Sequence, residues 1–160
     1  MKKIIYTILV VSLFTGCLKR ATNTYTNPKG ITFSNNKIVK IAKTHFGKPY
    51  KYGAVGPDRF DCSGFVYAVF KSVGVNIPRT SLAQSKIRGR KLRKNELKEG
   101  DILFFDTSLK GHVNHVGIYI GGGKFIHASS GRAYSVTIST LNGWYKDKFR
   151  WGKHINVKKY

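Results

Sequence analysis

Asp61-Cys62-Ser63-Gly64-Phe65-Val66-Tyr67-Ala68-Val69-Phe70-Lys71-Ser72-Val73-Gly74 is the stretch from which the fold is read. Phe65, Val66, Val69, Phe70 and Val73 recur at i, i+3, i+4 spacing, which predicts a helix over Cys62–Val73 with one buried face and Gly74 as a left-handed cap. Upstream, Ile38, Ile41, Ala42, His45 and Phe46 predict an earlier helix over Asn35–Phe46, stopped by Gly47 and Pro49. A short helical stretch follows around Ser81–Ile87. After Gly100-Asp101 the pattern changes to strands at Ile102–Phe105, Val113–Ile120, Lys124–Ala128, Tyr134–Ile138 and Phe149–Val157, with Gly121-Gly122-Gly123 as a hairpin link. Helices followed by hairpin-linked strands predict an α+β fold in which N-terminal helices, one carrying Cys62 in its first turn, pack on an antiparallel sheet.

That position matters chemically. The free N–H groups and dipole of a helix N-terminus favour a thiolate, so a depressed thiol pKa is expected at Cys62. The small Ser63 and Gly64 leave room for a substrate backbone, and a main-chain N–H beside Cys62 is placed to donate to a developing oxyanion. A lone cysteine is more often a buried hydrophobe, so the reading depends on a base. His115 opens the alternating segment His115-Val116-Gly117-Ile118-Tyr119-Ile120 and has opposite parity to His112, so one of these two can face Cys62 and not both. His127, in Phe125-Ile126-His127-Ala128 on the next strand, is placed to orient such a base across the hairpin. His45, beside the stripe of the first helix, reads as a packed or surface residue. Two competing readings use the same residues: a zinc site of Cys62, His112, His115 and His127, or a module that binds without turnover.

The chain has 160 residues, enough for one domain and an appended segment. With 41% hydrophobic and 13% aromatic residues it can build a core, and its formal net charge of +22 suits an anionic neighbour. Lys2 and Lys3 precede an apolar run from Ile4 to Phe14, the length of a signal-peptide core and short for a membrane span. The run closes on Leu13-Phe14-Thr15-Gly16-Cys17, which resembles the lipobox of bacterial lipoproteins. Expected from this are a signal peptide over 1–16, a flexible tether over 17–33 bearing a lipidated Cys17, and a folded domain over 34–160. Export turns the basic charge toward anionic wall or lipid surfaces, and no nucleic-acid-binding signature is present. With Leu18 after the lipidated cysteine, outer-membrane placement facing the periplasm is expected if the source has two membranes. Two cysteines without CxxC spacing give no disulfide scaffold, and neither a metal nor a cofactor is expected.

The order Tyr50-Lys51-Tyr52-Gly53, Asp61-Cys62-Ser63-Gly64-Phe65-Val66, Ile77-Pro78-Arg79-Thr80, Gly100-Asp101-Ile102-Leu103-Phe104-Phe105, His115-Val116-Gly117-Ile118-Tyr119-Ile120-Gly121 and Phe125-Ile126-His127-Ala128 closely resembles the NlpC-type cell-wall cysteine peptidases. The resemblance covers residues 36–155. It implies a papain-like fold and hydrolysis of peptide bonds in peptidoglycan stem peptides or cross-links, with Cys62 as nucleophile, His115 as base and His127 as the polar third residue. Tyr50, at the family's tyrosine position, would carry its phenol near the oxyanion or substrate, although Tyr52 repeats the residue type. Ala54 and His112 depart from the family pattern without touching this set. Asp61 and Ser63 flank the nucleophile and are candidates for holding the stem peptide, Asp61 equally as a helix cap. Arg79 is a candidate for a substrate carboxylate or for solvated surface. A monomer is expected, and the alternatives in function are an inactive wall-binding lipoprotein of the same fold or a papain-like amidase or acyltransferase.

Overall fold

The computed structural model of the chain describes residues 24–26 and 32–155. The segment read as a signal peptide, 1–16, and Cys17 lie outside the described residues, as do residues 156–160. Two three-residue strands, β1 (Thr24–Thr26) and β2 (Thr32–Ser34), pair antiparallel in the stretch read as a tether, β2 running one residue past its expected end at 33. They lead into helix α1 (Asn35–Thr44), which ends two residues before the predicted Phe46, with Gly47 at φ +81° just beyond. Helix α2 (Cys62–Ser72) starts where the apolar spacing places it. Asp61 accepts from the Gly64 N–H at its start, and Gly74, at φ +80°, turns the chain at its end.

Helix α3 (Ser81–Ser85), capped by Thr80, and a 3-10 turn at Lys94–Glu96 lead into the sheet. Its strands are β3 (Ile102–Phe105), β4 (His115–Gly121), β5 (Lys124–Ala128), β6 (Val136–Thr140) and β7 (Phe149–Lys153). They form one antiparallel sheet in the order β6-β5-β4-β3-β7. Ile102-Leu103-Phe104-Phe105 is buried along its whole length because β3 lies inside the sheet and is covered on both faces.

Strand parity divides the interior into two layers. Phe104, Val116, Ile118, Ile126 and Ala128 face α1 and α2, where Phe65, Val66, Val69 and Phe70 have no solvent exposure. Burying such side chains contributes roughly 2 kcal/mol each, so the α2–sheet interface is the main fixture of the nucleophile helix. Leu103, Phe105 and Phe125 point to the opposite face, under Leu141 and Tyr145. His115 and His127 have the parity of this second face.

Candidate active site

Cys62 is the first residue of α2, and three local devices set its surroundings. Asp61 takes up the Gly64 N–H at 2.6 Å. The orphan N–H groups of Cys62 and Ser63 therefore remain, and both lie at the sulfur together with the Val116 N–H from β4. Gly64 permits the close approach of this turn to the 54–61 loop, since a Cβ there would collide with the Ala54 carbonyl oxygen. The thiol thus sits where α2 meets the strand that begins with His115.

The sequence expectation of a depressed thiol pKa is reversed. Burial pushes the Cys62 thiol up, and the Asp61 carboxylate adds to the rise, while the three N–H groups pull the other way without prevailing. Helix-terminus stabilisation of a thiolate is present but outweighed by desolvation.

His115 and His127 meet on the second face of the sheet. His115 Nε2 is 2.9 Å from His127 Nδ1, with the rings perpendicular. Gly117 makes this approach feasible: a Cβ at 117 would stand 3.1 Å from His127 Cβ and 2.7 Å from the Phe125 ring. His127 Nε2 continues the chain to Ser139 Oγ at 3.0 Å. Tyr145 closes over both rings, stacked on His115 at 5.9 Å and edge-on to His127 at 5.3 Å. Burial lowers the pKa of His115 to about 4, and burial together with the neighbouring His115 holds His127 well below the ordinary histidine value. Both imidazoles are neutral at physiological pH.

Neutral rings fix the proton logic. A contact between Nε2 and Nδ1 needs one N–H and one lone pair. If His115 Nε2 donates, its Nδ1 keeps a lone pair, His127 accepts at Nδ1, and His127 donates from Nε2 to Ser139. If His127 Nδ1 donates instead, His115 carries its proton on Nδ1 and cannot take one from a thiol. Only the first placement makes His115 a base.

The other candidates divide clearly. Tyr50 is half-buried, feels the fields of Cys62 and Asp61, and hydrogen-bonds through its phenol to the Ser130 side chain. Tyr52 is 88% exposed. Asp61 is buried and accepts from the Gly53 and Gly64 N–H groups, the Ser63 hydroxyl and both terminal nitrogens of Arg79, the latter at 3.0 and 2.5 Å. The Arg79 guanidinium is therefore held by Asp61, and its NH1 also donates to Ser63 Oγ at 2.9 Å. These bonds, with the Gly53 and Gly64 N–H groups, hold the Asp61 carboxyl below its usual range against the opposing effect of burial. His112 is exposed on a bend outside β4, and His45 packs its ring 4.9 Å from Phe60. Among the described residues, no cluster of three or more His, Cys, Asp or Glu is arranged to hold a metal.

Sequence reasoning missed Ser139 and Tyr145. A cleft of about 460 Å³ adjoins His115 and is lined by both, together with Thr107, Ser129, Arg132 and Trp144. The Tyr145 phenol hydrogen-bonds Ser129, and its pKa is raised to about 12 by burial and by the field of Cys62.

The NlpC/P60 family profile matches residues 47–154, which contain Cys62, both buried histidines and all of the sheet. The chain belongs to the NlpC/P60 family. It is 41% identical over 105 residues to the gamma-D-glutamyl-L-lysine dipeptidyl-peptidase of Bacillus subtilis, covering 65% of this chain and 35% of that one. It is 36% identical over 122 residues to the murein DD-endopeptidase MepH of Escherichia coli, covering 74% and 44%. The crystal structure of the NlpC/p60 domain of the peptidoglycan hydrolase SagA matches 77% of this chain and 100% of that domain, with a TM-score of 0.67 and 31% identity. The NlpC/P60 chain thus spans less than half the length of the B. subtilis and E. coli relatives. Its helices on a five-stranded antiparallel sheet share the fold of the SagA domain.

Proposed function

We propose that the chain is a cysteine peptidase that hydrolyses amide bonds in the stem peptides or cross-links of peptidoglycan. The observation that carries the reading is a helix-terminal thiol against the N–H of Val116, the residue next to His115 on β4, together with the hydrogen-bonded series His115, His127 and Ser139. The names of the relatives support the substrate class, and they differ in the bond they specify, so both bond types stay in the proposal.

In this reading the Cys62 sulfur attacks the scissile carbonyl as its proton passes to His115 Nδ1. The resting pair is neutral, because burial raises the thiol and lowers the imidazole, so proton transfer accompanies attack. His115 becomes imidazolium while its Nε2–H donates to His127 Nδ1, whose own orientation is held by Ser139. The Cys62 N–H and the Tyr50 hydroxyl serve the oxyanion. The C–N bond breaks as His115 returns the proton to the leaving amine. A water, deprotonated by His115, then cleaves the thioester and frees the thiol.

The mature chain is exported and held at a membrane by acyl groups on Cys17, a reading supported by the basic start, the apolar run and the lipobox-like residues. Its charge favours anionic wall or lipid surfaces. Digestion of purified peptidoglycan followed by mass spectrometry of the fragments tests the hydrolase reading and reads out the bond. Membrane fractionation of the parent and of Cys17→Ala tests the anchor, and identical distribution contradicts it.

A further inference from the structure

A second cleft, of about 550 Å³, lies beyond the C-terminal end of α2, floored by Val75, Ile77, Ile87 and Leu92 and rimmed by Arg88 and Arg90. Helix α2 has 11 residues. At 1.5 Å per residue it separates this cleft from the thiol by about 16 Å. The rim belongs to Lys86-Ile87-Arg88-Gly89-Arg90-Lys91-Leu92-Arg93-Lys94, in which six of nine residues are exposed cations and none is acidic.

Little of this charge is compensated. Arg90 pairs with Glu96, Lys91 lies over the Trp151 ring at 4.0 Å, and Lys94 donates to the carbonyls of Leu141 and Lys146. Lys86 and Arg88 have no ion-pair partner among the described residues. The backbone that presents them is nevertheless fixed. Leu92 exchanges both main-chain hydrogen bonds with Gly152, and the buried Lys153 ammonium donates to the carbonyls of Ser85 and Ile87. Holding like charges together costs folding free energy through self-repulsion, and a rigid frame lets a ligand collect that charge without ordering a loop.

We propose that this cleft is a docking site for a chain of a phosphate-bearing polyanion, separate from the thiol site. Guanidinium forks match phosphate oxygens in pairs. Successive phosphates along one chain engage several of the cations together and release their counterions. A concave shape with its apolar side chains on the floor suits a strand of polymer, whereas a bilayer surface is met by apolar side chains that protrude.

Titration of the whole chain with inorganic polyphosphate at several salt concentrations tests the proposal without any turnover, so a failure of the hydrolase reading leaves it standing. The double variant Lys86→Gln/Arg88→Gln is expected to bind about tenfold more weakly, with a slope of log affinity against log salt shallower by about 1.5, while melting with the parent. Lys40→Gln/Lys43→Gln, which removes two exposed charges from α1, is expected to bind as the parent does. Equal losses in the two variants would mean a diffuse field and overturn the site, as would absence of binding by the parent. Equally tight binding to phosphatidylglycerol vesicles with the same dependence on Lys86 and Arg88 would make the occupant a lipid surface and overturn the polymer.

Discussion

His127 stands between two partners, with Nδ1 2.9 Å from His115 Nε2 and Nε2 3.0 Å from Ser139 Oγ. When the Ser139 hydroxyl accepts from His127 Nε2, the pair is held in the tautomer that leaves His115 Nδ1 free to take a proton. Ser139→Ala removes that acceptor, and kcat is expected to fall about tenfold with KM little changed. Ser139→Asp puts a carboxylate on the same nitrogen and favours the imidazolium form, so the acid limb of its pH–rate profile should move upward. If both variants keep the parent's kcat and acid limb, Ser139 has no positioning role.

The buried histidines also set the acid tolerance of the fold. His115 has a folded pKa of about 4. Its ordinary value is near 6.5, so the unfolded chain takes up a proton first as pH falls from about 6.5, and stability drops until pH reaches the folded value. The contribution lost over that window is about 3 kcal/mol from His115 alone, and His127 shifts in the same direction. Denaturant melts from pH 7 to pH 4.5 should show this loss, and His115→Phe should flatten it. An unchanged midpoint across that range would show that the rings are not buried neutral.

Asp61 links the nucleophile to Arg79. Asp61→Asn keeps the shape of the cap but removes the charge that raises the Cys62 thiol, so its alkylation by iodoacetamide should shift to lower pH, measured in a Cys17→Ser background. Asp61→Ala removes the acceptor of five hydrogen-bond donors, including both nitrogens of Arg79, and should cost about 2 kcal/mol or more. Because its folded pKa is depressed, the Asp61 contribution is present above the ordinary carboxylate range and lost as pH falls below it. An alkylation profile that does not move in Asp61→Asn would remove the carboxylate from the account of the thiol.

Tyr50 and Tyr52 are separated by their exposure. Tyr50→Phe is expected to reduce kcat about a hundredfold by removing one oxyanion donor, and Tyr52→Phe to leave it unchanged. A loss confined to Tyr52→Phe would reassign the phenol.

Local pattern made α2 legible: five apolar residues at helical spacing and Gly74 beyond them gave its start and its buried face. The placement of Cys62 at a helix start and of His115 and His127 on one face of neighbouring strands was legible for the same reason, since helix start and strand parity are local properties. The strand expected at Tyr134–Ile138 runs instead over Val136–Thr140, because Tyr134 adopts φ 44° and closes a turn onto Gly131, against its β propensity. The strand expected to open at Val113 begins at His115, although the Asn114 N–H still bonds the Phe105 carbonyl while its side chain accepts from Thr107. Ser139, Tyr145 and the grip of Arg79 on Asp61 depend on register and on contacts between residues far apart in the chain, and no short pattern carries them. The thiol pKa was misjudged because a helix terminus is visible in sequence, whereas the depth of burial is set by β4 arriving from more than fifty residues away.

The most direct test of the central claim is release of peptidoglycan fragments by the parent chain, Cys62→Ala, His115→Ala and His112→Ala, each shown to be folded. The account predicts fragments from the parent and from His112→Ala, and none from Cys62→Ala or His115→Ala. Fragment release by Cys62→Ala, or a dead His112→Ala beside an active His115→Ala, would contradict it.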